Sequence, residues 1–221
     1  MRFRDRTDAG RQLARLLTER DLHEPVVLAL PRGGVPVAAE VASALAAPLE
    51  VFVARKLGAP GQPELGIGAI AECDGLVVDR HALDALGLSD DDVAALIGRE
   101  REELERRVQH YRSGRDLPDL AGRDIVLVDD GLATGVTAGA ALHGLRGRRP
   151  RIIVLAVPAC APATAERLST EADDVVCALT PQDFAAVGHW YENFDQTTDG
   201  EVVEILRRMS AAGAAGGRGT P

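Results

Sequence analysis

Apolar residues along this chain fall into short unbroken blocks, separated by stretches where they recur every three or four positions. Blocks at 26–30, 125–128, 152–157 and 175–178 are uninterrupted and 49–54 is broken only at Glu50, the pattern of strands covered on both faces within a parallel sheet. The intervening stretches read as helices. Residues 8–19 place Leu13, Leu16 and Leu17 on one face, and 35–45 are Ala-rich. Ser89, followed three positions later by Asp92, approximates a capping box and opens a long helix to about Tyr111. Helices follow over 137–145, 162–171 and 201–209, the last with Asp199 as cap. Two short runs, 67–71 and 76–78, flank the turn dipeptide Asp74-Gly75 and predict a hairpin.

Strands alternating with helices imply an α/β fold, a mainly parallel five-stranded sheet flanked by helices. The interval of about 57–123 between the second and third core strands holds the hairpin and the long helix, so it is an insertion rather than a loop. In such sheets ligands bind beyond the carboxyl ends of the strands. The loops at 31–34, 55–56 and 129–137 each follow a strand, so they are expected to converge on one edge.

Composition narrows the picture. The chain has 221 residues, which fits a single domain over 1–210, and the Ala/Gly-rich 211–221 reads as a disordered tail. Aromatics make up 3%, so Val, Leu, Ile and Ala must fill the core. The net charge of −9 argues against a nucleic-acid partner, which needs a basic face. Cys73, Cys160 and Cys177 are odd in number and never at CxxC spacing, so neither a disulfide framework nor a zinc site is expected. That suits a reducing cytoplasm. The start, MRFRDRTDAG, lacks the apolar core of a signal peptide, and no apolar run approaches the roughly 20 residues that cross a bilayer, so no membrane partner is expected.

The chemistry concentrates in 126–138, VLVDDGLATGVTA. A strand-like run delivers two adjacent carboxylates, Asp129 and Asp130, and then a loop of Gly131, Leu132, Ala133, Thr134, Gly135, Val136 and Thr137 that leads into a helix. Loop N–H groups, hydroxyls and a helix N-terminus suit a phosphate. Carboxylates one step earlier can accept hydrogen bonds from sugar hydroxyls. No lysine follows Gly135, so a nucleoside-triphosphate loop is excluded. Pro31-Arg32-Gly33-Gly34 ends another buried run, with two glycines for close backbone approach and an arginine for phosphate. The letters of Gly66-Ile67-Gly68-Ala69-Ile70-Ala71 match GxGxxA, but no buried strand precedes them and a hairpin turn follows, so a dinucleotide site is rejected. Glu64 and Glu72 lie near this stretch without a firm role. Phe184, Trp190, Tyr191 and Phe194 crowd the segment after the fifth strand, and His189 beside them could act in acid–base chemistry.

The 126–138 segment resembles the phosphoribosyl-diphosphate (PRPP) signature of type I phosphoribosyltransferases, and the likeness extends over about 24–178. The resemblance implies transfer of 5-phosphoribosyl from PRPP to a nitrogenous acceptor, with release of pyrophosphate. It implies that Asp129 and Asp130 bind the ribose hydroxyls and, directly or through water, Mg²⁺, as the catalytic pair. It further implies that 131–137 hold the 5′-phosphate, and that Arg32, Gly33, Gly34 and Lys56 hold pyrophosphate. The peptide between Pro31 and Arg32 is expected to be cis or strained. A hood at about 180–200 would cover a small-molecule acceptor, with Trp190 or Tyr191 touching it. Ala133 stands where hypoxanthine–guanine enzymes carry an aspartate, which speaks against a 6-oxopurine acceptor. The alternative is a PRPP- or nucleotide-binding regulator without turnover, and a homodimer stays open.

Overall fold

The computed structural model describes residues 2–216, without the side chains of 64 and 213–216. The chain runs α1 (Arg6–Thr18), β1 (Val26–Ala29), α2 (Gly34–Ala44) and β2 (Leu49–Val51), then β3 (Ala54–Ala59), β4 (Gln62–Ala71), β5 (Gly75–Val78), α3 (Arg80–Leu86) and α4 (Asp90–Arg112). It continues through β6 (Asp124–Val128), α5 (Val136–Arg146), β7 (Ile152–Ala159), α6 (Pro162–Leu168) and β8 (Asp174–Leu179). A 3₁₀ turn (Val187–Trp190) and α7 (Asp199–Gly216) close it.

The main sheet is five-stranded and parallel, in the order β2-β1-β6-β7-β8. Its unbroken apolar strands are explained by cover on both faces. Val27, Ala29, Val126, Val128, Val154 and Ala156 face a core shared with Leu13, Leu17, Val35, Val41, Val202 and Leu206 of α1, α2 and α7. Their neighbours Val26, Leu28, Ile125, Leu127, Ile153 and Leu155 face the opposite core with Ala138, Leu142, Leu145 and Leu168 of α5 and α6. Successive residues alternate faces, as strand geometry requires.

The insertion is larger than the hairpin expected. β3, β4 and β5 form a separate antiparallel sheet. The block read as one strand over 49–54 divides: β2 ends at Val51, Phe52 N–H donates to Ala29 O, and Val53 O accepts from Glu72 N–H. The chain thus crosses from one sheet to the other, and Arg55 and Lys56 sit inside β3 rather than at the end of a core strand. α3 was not foreseen; its seven residues are held by Asp79, whose side chain accepts from Ala82 N–H, and by Gly87 in a left-handed C-cap. The Ser89/Asp92 capping box is present at the start of α4. At α7 it is Thr198 whose hydroxyl accepts from Glu201 N–H, so Asp199 is the first helical residue and not the cap. α7 continues to Gly216, so 211–216 extend a helix where a tail was expected, and 217–221 lie outside the described residues. No helix among the described residues is long and apolar enough to cross a membrane.

One buried ion pair fastens the insertion. Arg112, the last residue of α4, lies 2.7 Å from Glu72 Oε2 through Nη1, and its Nη2 donates to Glu72 Oε1 (2.8 Å) and Val51 O (2.7 Å). Glu72 Oε1 also accepts from Val53 N–H at 2.6 Å. Burial pushes the Glu72 carboxyl above its ordinary range, and the Arg112 charge opposes this. Arg112→Leu should therefore lower stability by about 3–5 kcal/mol, because it strands a buried charge. The raised carboxyl fixes the sign with pH: the destabilisation should be smaller at pH 5 than at pH 8, since protonated Glu72 tolerates burial. Urea unfolding at both values measures it, and an equal loss at the two would contradict this account.

Candidate active site

β1 and β6 are neighbours in register, Ala29 opposite Val128, so the loops that follow them leave the sheet side by side. After β6 come Asp129 and Asp130. After β1 come Leu30, whose N–H donates to Val128 O, and the cis Pro31–Arg32 peptide. The two loops touch. A Cβ on Gly34 would stand 2.8 Å from Val128 O and 3.0 Å from Asp129 Cα, and one on Gly33 would collide with the Asp130 carboxylate. Close approach, not an unusual dihedral, is what demands this glycine pair.

Each loop opens onto a helix whose N-terminus no side chain caps, α2 after Gly33 and α5 after Gly135. At α5 the first-turn N–H groups have no intrahelical partner, which makes a ready anion site after the acidic pair. At α2 the Gly34 N–H donates to Leu30 O, the Val35 N–H donates to Arg32 O and Pro36 has no N–H, so that helix end offers no such set of donors. Gly135 has φ +64°, the left-handed turn that swings the chain from loop into helix. α6 buttresses this loop from behind: the Thr164 hydroxyl donates to Ala133 O at 2.5 Å and Arg167 Nη2 to Thr134 O at 2.9 Å. With these carbonyls engaged, the front of the loop is left to N–H groups and to the Thr134 and Thr137 hydroxyls.

The carboxylates are held in an unequal way. Asp129 Oδ1 accepts from Asp130 N–H at 2.8 Å. Asp130 Oδ2 accepts from Arg6 Nε at 2.8 Å and lies 2.8 Å from Arg6 Nη2. Burial, with the Asp130 charge beside it, pushes the Asp129 carboxyl well above the usual range. Burial also raises Asp130, and the Arg6 charge counters it.

Lys56 is brought to the same edge, but through the small sheet. With Gly66, Gly68, Thr134, Val136 and Thr137 it lines a cleft of about 350 Å³ over the start of α5. It therefore stands against the 131–137 loop. Its neighbour Arg55 points elsewhere and pairs with Glu100 of α4 at 2.5 Å. Gly66 and Gly68 belong to β4, in keeping with rejection of a dinucleotide turn. A larger cleft of about 640 Å³, between the β4–β5 turn and α4, is lined by Glu72, Asp74, Arg101 and Glu105 and includes none of the loop residues above. Arg32 Nη1 lies 3.8 Å from Asp199 Oδ1, which also accepts from the Tyr111 hydroxyl at 2.5 Å.

The hood packs on the N-terminus. Phe3 N–H donates to Trp190 O, and Glu192 N–H to Phe3 O. Tyr191 is buried at 3% exposure against Phe3 and Phe194, and its hydroxyl donates to Asp130 O at 2.6 Å. Tyr191 is thus a packing residue that steadies the acidic pair, which corrects its reading as an acceptor contact. Trp190 is half-buried and stacked on Phe184, with centroids 6.3 Å apart, and His189 is exposed on the 3₁₀ turn. Arg6 was missed in the sequence, where an arginine near the start of a helix carries no signal of its own.

An open parallel sheet with two glycine-bearing turns around a carboxylate pair defines the class, an α/β protein with its candidate site beyond the carboxyl ends of the strands. The chain belongs to the phosphoribosyl transferase domain family, whose model matches residues 5–193. Provisionally named phosphoribosyl transferases from two Mycobacterium tuberculosis strains are 50% identical over 209 residues, 93% of this chain and 46% of theirs. The chain spans about half the length of these curated relatives. The solved structure of the Thermus thermophilus protein TT1426 is 46% identical, with a TM-score of 0.81, over 95% of this chain and 99% of that one.

The raised carboxyl of Asp129 gives a stability test. A group raised above its unfolded value favours folding at low pH and loses that contribution as pH rises. Asp129→Asn should therefore raise the melting temperature of the ligand-free protein at pH 8, with the gain shrinking toward pH 4. Scanning calorimetry across that range decides it; a lower melting temperature at pH 8 would show the ionised pair to be stabilising.

Proposed function

We propose that the protein transfers 5-phosphoribosyl from PRPP to a nitrogenous small-molecule acceptor with release of pyrophosphate. The observation that carries this reading is the acidic pair Asp129 and Asp130 set between the uncapped N-terminus of α5 and the Arg32–Gly34 loop packed against both carboxylate residues. A molecule with one phosphate, a diol and a second phosphoryl group, in that order, matches the three features.

In this reading residues 131–137 hold the 5′-phosphate, with Thr134 and Thr137 donating and Lys56 adding charge across the cleft. Asp129 and Asp130 accept from the ribose hydroxyls. Arg32, Gly33 and Gly34 hold pyrophosphate through the guanidinium and the N–H groups ahead of Gly34, whose own N–H donates to Leu30 O. The reacting carbon gains positive character as pyrophosphate leaves, so fixed positioning and cations around the leaving group lower the barrier. The hood bounds the acceptor side, and Trp190 is the ring left to meet the acceptor.

Mg²⁺ fits these residues as a guest shared with the substrate. The carboxyls of Asp129 and Asp130 are raised by burial, a state that a cation would relieve. Among the described residues no cluster of three or more His, Cys, Asp or Glu could hold a metal alone. PRPP oxygens would complete the shell, in keeping with the preference of Mg²⁺ for one or two carboxylates plus phosphates. Bound there, it would neutralise charge on the departing pyrophosphate.

Calorimetric titration with PRPP and Mg²⁺ should show binding that Asp129→Asn with Asp130→Asn weakens by several kcal/mol, at ~1.5–3 for each charge-assisted bond. Pyrophosphate release, screened over bases and amines, should then identify the acceptor. Binding without release for any acceptor would favour the regulatory alternative, and no binding would remove PRPP from the reading. Once an acceptor is known, Trp190→Ala should raise its KM about tenfold or more while leaving PRPP affinity nearly intact, at the scale of one lost stacking contact.

A further inference from the structure

Arg6 stands where helix energetics disfavour it. It is the first residue of α1, and a cation at a helix N-terminus opposes the macrodipole. Its side chain is only 12% exposed, so burial adds to the cost. Three contacts offset this. Nε and Nη2 both engage one oxygen of Asp130, Oδ2, at 2.8 Å each. Nη1 donates to Asp195 O at 2.6 Å. The guanidinium carbon lies 4.0 Å from the centre of the Phe194 ring. These contacts join the N-terminal helix, the acidic pair and the hood at one point.

The form of the ion pair is informative. An arginine that merely neutralises a carboxylate commonly takes both oxygens in a fork. Here two nitrogens share Oδ2, the oxygen with which a Cβ on Gly33 would collide. The main chain of Asp130 is fixed as well, by the Tyr191 hydroxyl on its carbonyl. Backbone and one carboxylate oxygen are thus both immobilised, which leaves Oδ1 in a set direction.

We propose that Arg6 is a positioning residue for sugar recognition: by pinning Oδ2 of Asp130, it presents Oδ1 to the ribose hydroxyls. This rests on the reading of Asp129 and Asp130 as the diol site. It makes the N-terminal segment and the hood part of the PRPP site, although neither lies in the 126–138 signature. A purely structural ion pair would influence stability without regard to which sugar is bound.

The test compares ribose 5-phosphate with 2,3-dideoxyribose 5-phosphate, titrated calorimetrically in metal-free buffer. Wild-type protein should prefer the diol by about tenfold or more, as expected of a site built to hydrogen-bond hydroxyls. Arg6→Met should bring the two within about twofold by weakening the diol alone, because the unpinned carboxylate loses its fixed geometry. The dideoxy sugar, held by its phosphate at 131–137, should bind both proteins alike. Arg6→Lys keeps the charge but not the two-nitrogen contact, and should fall between. If Arg6→Met does not fold, Arg6→Lys carries the test, with at least a roughly threefold narrowing expected. A wild-type preference that survives in the variants, whatever their melting temperatures, overturns the role of Arg6 and leaves the diol site standing. Absence of any preference in the wild type overturns the diol reading and this inference together.

Discussion

Two adjacent, largely buried carboxylates at the end of a parallel strand are the constraint around which this molecule is arranged. Placed together they repel, and enclosure deprives both of water. The surrounding structure offsets this piece by piece. The Asp130 N–H bonds Asp129, Arg6 pairs with Asp130, and the Tyr191 hydroxyl holds the Asp130 carbonyl. Burial pushes the Tyr191 hydroxyl far up its range, so it remains a donor. Gly33 and Gly34 exist because the neighbouring loop has to pass against the same acids.

The parallel sheet supplies the rest of the site at little additional cost. Adjacent strands that point the same way deliver their following loops to one edge, and each loop must start a return helix. β1 and β6 are such neighbours, and both of their helices begin without a side-chain cap. At α5 a cap would satisfy the first-turn N–H groups at the expense of anion binding, whereas α2 already ties its Gly34 N–H to Leu30 O and its Val35 N–H to Arg32 O. The function proposed above thus reflects local stability given up at one helix end and at one acidic pair.

The insertion and the hood both border the site and are fastened differently. Arg112 and Glu72 stitch the end of α4 to the segment where the chain changes sheets, through a pair that burial makes sensitive to losing either member. The hood is fastened by backbone bonds to Phe3 and by aromatic contact among Phe3, Tyr191 and Phe194. The insertion brings a cation, Lys56, to the 131–137 loop by way of a second sheet.

Much of this was legible from local pattern. The unbroken apolar runs determined five parallel strands, because only strands covered on both faces tolerate them. The order Asp129, Asp130, Gly131, Thr134, Gly135, Thr137 determined a carboxylate pair leading into a phosphate turn, since each residue acts through its own backbone position. The break between β2 and β3 was not legible, because an apolar block reads alike whether it stays in one sheet or crosses to another. Nor was the role of Tyr191, which looked like a ligand contact until its partners Phe3 and Asp130 were seen. Arg6 lies 124 positions from Asp130, and no periodicity or spacing connects them. Sequence alone determined which groups could bind a sugar phosphate, because those groups are consecutive. Only the tertiary structure decided how they are aimed, because a side chain's direction depends on neighbours that packing brings from far along the chain.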